Sequence, residues 1–429
     1  MSDVDPAPLR TSRAALPSGS ATIGIGLLVG GVSIYAFFRL GQDALGADGF
    51  KPITSLWFVL FALVPGFLLP IEQEISRAIA HRRALGDGIG PVLRRVAPLV
   101  IGITVGLLVI VALLARPLTN DLFEGSTVVT IGLFVALLSY APFYFARGVC
   151  SGKGHFRTYS AMIALDGALR VAGAAVLLVI GISRPGPYAL MVAITPLLIV
   201  VAVAASGRLS AGPGTPATWS ELAPNLGWLL LGSLFAAALV NAGPLTVDIL
   251  GTTAPPDTVT RFGNAVLLAR VPLFLFQAVQ AAMLPRLTRL ATLGDAGEFR
   301  DVLRRLILLV AGVGIIGVAG AFAVGPWVLE LVYGGGIDRR TLTLLALSSA
   351  IYMLAQAFAQ SVLALSGHRM VALGWTMSFV VFVVTAAWSS DDLYLRVEIA
   401  LLSSAAMAFV FFGLRLRGYL LRLASRSRS

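Results

Sequence analysis

Apolar runs of about 20 residues recur along the whole chain, and each is long enough to cross a membrane's hydrocarbon layer as an α-helix. Hydrophobic residues make up 57% of the chain and charged residues only 12%, whereas soluble domains carry about 25% charged residues. We therefore expect an all-α polytopic membrane protein with about twelve transmembrane helices. The twelve runs lie at 20–38, 52–71, 96–115, 126–146, 161–181, 187–206, 226–250, 263–285, 306–328, 341–366, 371–388 and 397–414.

The chain also contains an internal repeat. The first copy comprises Leu69-Pro70, Leu85-Gly86-Asp87 and Val92-Leu93-Arg94-Arg95, and the second comprises Leu284-Pro285, Leu293-Gly294-Asp295 and Val302-Leu303-Arg304-Arg305. Because many transporters are built from structural repeats with the site between them, the repeat predicts two pseudo-symmetric six-helix lobes. The predicted organisation is a cytoplasmic segment 1–19, an N-lobe 20–206, a cytoplasmic tether 207–225, a C-lobe 226–414 and a basic cytoplasmic tail 415–429.

The distribution of charge predicts the orientation. With both termini in the cytoplasm, most of the 32 lysines and arginines fall in inner connections, which is the positive-inside pattern. The net charge of +11 therefore indicates topology and contact with anionic membrane lipids, and it does not indicate nucleic-acid binding. Abundant alanine, glycine and arginine, with lysine only at Lys51 and Lys153, suggests a GC-rich bacterial genome and hence the bacterial cytoplasmic membrane.

The connections limit the possible chemistry. Those predicted on the outer side contain about a dozen residues or fewer, which is too short for a folded catalytic domain. The histidines His81, His155 and His368 never form a paired metal-binding spacing. We therefore expect a transporter without an enzymatic activity, a metal or a cofactor.

Charged residues inside the apolar runs are the first candidates for a site, because an unpaired charge in hydrocarbon costs roughly 2.5–3.5 kcal/mol. Asp166 and Arg170 are four residues apart on one helix face, so they form either a structural salt bridge or part of a functional site. Arg270 has no charged residue within a turn, and we expect it to line a cavity. The alternative is a structural pair across helices with Asp248. Asp166 and Asp248 are also candidates for coupling to protons or sodium.

Other polar residues extend these candidates. Gln277 and Gln280 lie in the same broad stripe of the predicted eighth helix as Arg270, so they could contact substrate or form interhelical hydrogen bonds. Near the inner end of the second run, Glu72 and Glu74 are expected to pair with Arg77 at a lobe interface.

Three passages resemble bacterial polysaccharide flippases of the multidrug/oligosaccharidyl-lipid/polysaccharide exporter superfamily. They are Leu45-Gly46-Ala47-Asp48-Gly49-Phe50, Arg147-Gly148 through Gly154-His155-Phe156, and Arg270-Val271-Pro272 leading to Leu284-Pro285-Arg286. The resemblance implies that two lobes move a polyprenyl pyrophosphate-linked oligosaccharide from the inner to the outer leaflet by alternating access, for surface polysaccharide biosynthesis. It also implies that Arg270 contacts the pyrophosphate. Arg170 is added as a second contact because of its expected burial.

Two other functions stay open. A drug or small-molecule/cation antiporter of the same superfamily would be expected to carry an acidic residue inside the first or seventh run. The first run has none, but Asp248 keeps this alternative open. A non-transporting scaffold could instead recruit polysaccharide assembly enzymes through its basic inner connections.

Overall fold

The computed structural model describes residues 20–219, 225–273, 276, 287–293 and 295–426. Within them, the long helices of the first half are α1 Ser20–Gly49, α2 Lys51–Ala84, α3 Gly90–Leu113, α4 Thr127–Gly152, α5 Phe156–Val179 and α6 Pro185–Ala205. Those of the second half are α7 Leu226–Leu250, α8 Asp257–Ala269, α9 Ala296–Ala323, α10 Arg339–Ala364, α11 His368–Trp388 and α12 Leu393–Arg426. Short helical segments cover Ala115–Pro117, Leu118–Leu122 and Gly325–Tyr333.

The helices have the length and composition of membrane spans. Ten segments of the described chain are long and apolar enough to cross a membrane, and one of them, Thr22–Ala84, contains both α1 and α2. Most of the predicted eighth run, 263–285, lies beyond the part of α8 that the structure describes. The prediction of an all-α multi-pass membrane protein is confirmed.

The two halves repeat one packing pattern. In the first half, α1 packs against α5, α2 against α4, and α4 against α6. In the second half, the equivalent pairs six helices later are in contact: α7 with α11, α8 with α10, and α10 with α12. This correspondence confirms the two pseudo-symmetric six-helix lobes that the sequence repeat predicts.

The lobes meet along α2 and α7, and a proline explains one of their contacts. Pro65 inside α2 has no backbone N–H, so the carbonyl of Phe61 lacks its helical donor. The side-chain nitrogen of Asn241 on α7 donates to this carbonyl at 3.0 Å, and Ser233 donates to the carbonyl of Pro65 at 3.2 Å. The carbonyl that Pro65 leaves without a helical donor in one lobe is thus bonded by a polar side chain of the other.

A second contact between the lobes joins α1 and α8. Gln42 and Asn264 exchange two side-chain hydrogen bonds of 3.0 and 2.9 Å, and the hydroxyl of Tyr35 donates to the carbonyl of Leu267 at 2.8 Å. We call helix ends inner or outer according to the orientation predicted from the charges. In these terms, the contacts lie in the outer part of the bundle.

The described part of the predicted tether lies against the connection between α2 and α3. Arg82 donates to the carbonyl of Thr215 at 2.7 Å, and Asp87 accepts from the backbone N–H of Thr215 at 3.1 Å. Hydrogen bonds from the hydroxyl and N–H of Thr215 lower the pKa of Asp87. The backbone N–H of Gly90 also donates to Gly212 at 2.9 Å. These contacts attach the start of the tether to the N-lobe.

Candidate functional site

Arg270 lies at the end of α8, close to the seam between the lobes. Its backbone N–H still donates to the carbonyl of Leu267 at 3.1 Å, so the helix positions the residue. Its guanidinium carbon is 5.6 Å from the ring centre of Phe58 on α2. The phenols of Tyr35 on α1 and Tyr352 on α10 are near enough to interact with its charge. Helices of both lobes therefore surround this cation.

Arg270 also lines a cavity between α7, α8, α10 and α12. The other polar residues of the wall are neutral, and the rest are mainly apolar. The neutral polar residues are Ser348, Ser349, Tyr352 and Ser404. Among the residues that the structure describes, no carboxylate is placed to neutralise Arg270. A cation in such an environment favours an anionic ligand, because the low dielectric strengthens the attraction and the charge is otherwise uncompensated.

Asp248 does not form the alternative pair with Arg270. Its carboxylate is 3.2 Å from the ammonium of Lys51 and accepts from the hydroxyl of Ser55 at 2.5 Å, both on α2. The same ammonium is 3.2 Å from Glu124. The Asp248 side chain is only 2% exposed, so the ion pair is shielded from water. Because Lys51 begins α2 and Asp248 is near the end of α7, the pair links the outer ends of these two helices.

Asp166 and Arg170 form a buried network within the N-lobe. The guanidinium of Arg170 is 2.7 Å from one carboxylate oxygen of Asp166 and donates to the hydroxyl of Tyr140 at 3.0 Å. The other carboxylate oxygen accepts from Thr195 at 2.9 Å, and Trp57 lies 5.0 Å from the guanidinium. The charge of Arg170 is therefore neutralised in place, unlike that of Arg270.

A third ionic group lies at the inner ends of α2, α4 and α5. One oxygen of Glu72 accepts from Arg147 at 3.2 Å and from the hydroxyl of Tyr159 at 2.9 Å. Glu74 pairs with Arg77 at 2.7 Å, as expected. The expected pairing of Glu72 with Arg77 is wrong, because Glu72 points towards α4 and α5 inside the N-lobe. Its partner is Arg147, which directly follows the predicted run 126–146, and nothing in the spacing of the two residues indicates that they pair.

The remaining two candidates, Gln277 and Gln280, lie outside the described residues. The site that the structure does describe is therefore Arg270 with its aromatic and hydroxyl neighbours. Sequence reasoning identified the cation but missed Tyr35 and Tyr352, since tyrosines in apolar runs are not distinctive and both are distant from Arg270 in the chain.

Comparison with known proteins agrees with this fold. No protein-family model matches the chain. An uncharacterized protein of Mycobacterium tuberculosis is 26% identical over 385 residues, covering 85% of this chain and 84% of the relative. The solved structure of a multidrug resistance MATE family transporter of the MOP superfamily, in an inward-facing conformation, superposes with a TM-score of 0.65 at 13% identity. It covers 95% of this chain and 97% of that one.

A second solved structure gives the same result. A Vibrio cholerae MATE transporter in its bent form superposes with a TM-score of 0.60 at 15% identity, covering 94% of this chain and 99% of the transporter. The chain therefore has the two-lobed fold of MATE transporters.

Proposed function

We propose that this protein is a membrane exporter that moves a polyprenyl pyrophosphate-linked oligosaccharide from the inner to the outer leaflet by alternating access. The observation that carries the proposal is Arg270, a cation that lies close to the lobe seam, lines a cavity inside the C-lobe, and has no carboxylate partner among the described residues. The transporter fold and the resemblance of the Arg270 passage to polysaccharide flippases support the same proposal. The polyprenyl chain would stay in the lipid during transport.

The chemistry of the cavity suits this cargo. A pyrophosphate entering a low-dielectric cavity needs a cation, and a guanidinium supplies several charge-assisted hydrogen bonds in a planar arrangement. The hydroxyl of Ser349 adds a neutral donor on the same wall, whereas the hydroxyls of Ser348 and Ser404 donate to carbonyls of their own helices. The rings of Phe58 and Tyr352 restrict where the guanidinium can move. We infer that Arg270 binds the pyrophosphate, with Gln277 and Gln280 as further candidate contacts.

A drug or small-molecule/cation antiporter is the second candidate, because multidrug transporters share this fold. The charge of the cavity favours the first proposal. A cationic drug near Arg270 would be repelled by a positive charge that no described carboxylate offsets. Asp166 and Asp248, the acids that would attract such a drug or a coupling ion, are both held by basic partners.

The distribution of basic residues in the sequence supports a proposal for the membrane and the orientation of the protein. We propose the bacterial cytoplasmic membrane with both termini in the cytoplasm, where the basic inner connections contact anionic lipids. Polysaccharide assembly enzymes are proposed partners on that face.

A binding measurement tests the proposal. The purified protein in nanodiscs would be titrated with a polyprenyl pyrophosphate and with the uncharged polyprenyl alcohol. We expect the pyrophosphate to bind more tightly. The Arg270→Gln variant should weaken its binding by about ten- to a hundredfold, because charge-assisted hydrogen bonds contribute about 1.5–3 kcal/mol.

Arg261→Gln is the matched control, since Arg261 is on the same helix but paired with Asp257 at its outer end. The control should bind like the wild type. Equal binding of the pyrophosphate to the Arg270→Gln variant and the wild type would contradict the proposal.

A further inference from the structure

A buried carboxyl group lies at the outer end of the C-lobe, about one helical turn outward of the Arg270 cavity, whose lining includes Leu345 and Leu401. The side chain of Glu398, near the start of α12, has no exposed surface. Neither of its carboxyl oxygens has a well-formed hydrogen bond to any residue that the structure describes. The hydroxyl of Thr341 on α10 is buried beside it, near enough to interact with the carboxyl group but without a well-formed hydrogen bond to any described residue. Two adjacent buried polar groups are therefore both unsatisfied.

Arg340 lies between three carboxylates, those of Glu398, Asp392 and Asp338, and is in direct contact with none of them. The guanidinium of Arg340 is 3.8 Å from Glu398, 3.8 Å from Asp392 and 3.9 Å from Asp338. These separations are longer than those of direct charge-assisted hydrogen bonds, which are about 2.7–2.9 Å. Arg340 is half-exposed and is not committed to any one acid. A small movement would bring it into direct contact with Glu398.

Within the described part of the chain, no cation other than Arg340 lies within ion-pair distance of Glu398. The ionisable groups that face it are Arg340 and Asp338 at the start of α10, and Asp392 immediately before α12. α11 carries ionisable residues only at its opposite end. On α7, Asp248 is already paired with Lys51.

An ionised carboxylate without hydrogen bonds is costly to bury, whereas a neutral carboxyl group costs much less. The hydroxyl of Thr341 can donate one hydrogen bond to the carboxylate, but a single neutral donor does not replace the solvation that a buried charge loses. The cost of burying the ionised group is therefore largely uncompensated while Arg340 stays at 3.8 Å. A metal cation fits less well, because Arg340 already places a positive charge beside the site.

We propose that Glu398 is a proton-binding site that controls the contact between the outer ends of α10 and α12. With α10 and α12 packed as in this structure, Glu398 holds the proton, and its carboxyl group and the hydroxyl of Thr341 share a hydrogen bond. When the O–H bond breaks, the proton passes to water at the outer face, and Arg340 moves in to pair with the carboxylate.

This site differs from the two acids that the sequence suggested for ion coupling. Asp166 and Asp248 each have a close basic partner and a hydroxyl donor. Glu398 has no basic partner at hydrogen-bonding distance among the described residues, and the hydroxyl of Thr341 beside it is neutral. The inference does not depend on which cargo the protein carries.

Infrared difference spectroscopy of the full-length protein in liposomes tests this proposal without any cargo. A protonated carboxyl group gives a C=O stretching band that disappears on ionisation. The wild type should show such a band and lose it as pH is raised. The band should be absent from the Glu398→Gln variant, whose amide resembles the neutral acid in shape, and should persist in Glu330→Gln, which alters an exposed acid.

The Arg340→Gln variant provides a second test that leaves Glu398 in place. Without the cation to pair with the carboxylate, the band should persist to higher pH than in the wild type. A band retained in Glu398→Gln, or unchanged pH dependence in Arg340→Gln, would overturn the proposal.

Discussion

The ion pair between Asp166 and Arg170 gives a prediction whose size follows from the structure. The Arg170 side chain is 3% exposed, and its guanidinium contacts Asp166 at 2.7 Å. Asp166→Asn would keep the shape of the side chain but leave a buried guanidinium without its counter-charge. Removing one partner of a buried pair costs about 3–5 kcal/mol, because the remaining charge stays desolvated. We expect a loss near the lower end, since Asp166 itself is 14% exposed and Tyr140 still accepts one hydrogen bond.

Two further variants separate charge from packing. Thr195→Val removes only the hydrogen bond of 2.9 Å to Asp166, and should cost about 1 kcal/mol. The double variant Asp166→Asn with Arg170→Met removes both charges. It should regain much of the stability lost in Asp166→Asn, since no isolated buried charge remains.

The assay is equilibrium unfolding in mixed micelles with increasing SDS, followed by tryptophan fluorescence. From most to least stable, the expected order is wild type, Thr195→Val, the double variant and Asp166→Asn. If the double variant were no more stable than Asp166→Asn, the two charges would not be coupled, and the structural role given to Arg170 would be wrong.

Two other predictions concern how the helices meet. In a variant lacking the single cysteine, Cys150, a short reducible thiol cross-linker should join Gln42→Cys on α1 to Asn264→Cys on α8 and block transport until it is reduced. Cross-linking without loss of transport would show that this contact need not open. Gly152→Ala should destabilise the protein by about 1–3 kcal/mol, because an added Cβ would lie 2.8 Å from the carbonyl oxygen of Ser76. Gly106→Ala, where nothing lies within 4 Å, is its control and should be neutral or slightly stabilising in the same unfolding assay.

The fold could be predicted because membrane spans leave a local signal in the sequence. The helices nevertheless extend beyond the apolar runs. The second run was expected at 52–71, but α2 continues to Ala84, and the last was expected at 397–414, but α12 continues to Arg426. Hydropathy marks only the part of a helix inside hydrocarbon, whereas the backbone remains helical through the polar residues that follow. The ninth run, 306–328, is interrupted because a separate helix starts at Gly325-Pro326.

The candidate site could be predicted only in part. Arg270 was identifiable because a charge within an apolar run is rare. The pairings of Asp248 with Lys51 and of Glu72 with Arg147 join residues far apart in the chain, so spacing along one helix could not reveal them. Glu398 was overlooked because it stands at the start of the last run, where an acid usually faces solvent.

Analysis of lipids from cells depleted of this protein tests the proposed export most directly. Mass spectrometry of polyprenyl-linked sugars would be combined with an assay of surface polysaccharide, after complementation with wild type, Arg270→Gln or Arg261→Gln. We predict that depletion causes lipid-linked glycan to accumulate and surface polymer to be lost. Wild type and Arg261→Gln should reverse both effects, and Arg270→Gln should reverse neither. Unchanged lipids with altered drug sensitivity would contradict the flippase proposal and support the antiporter.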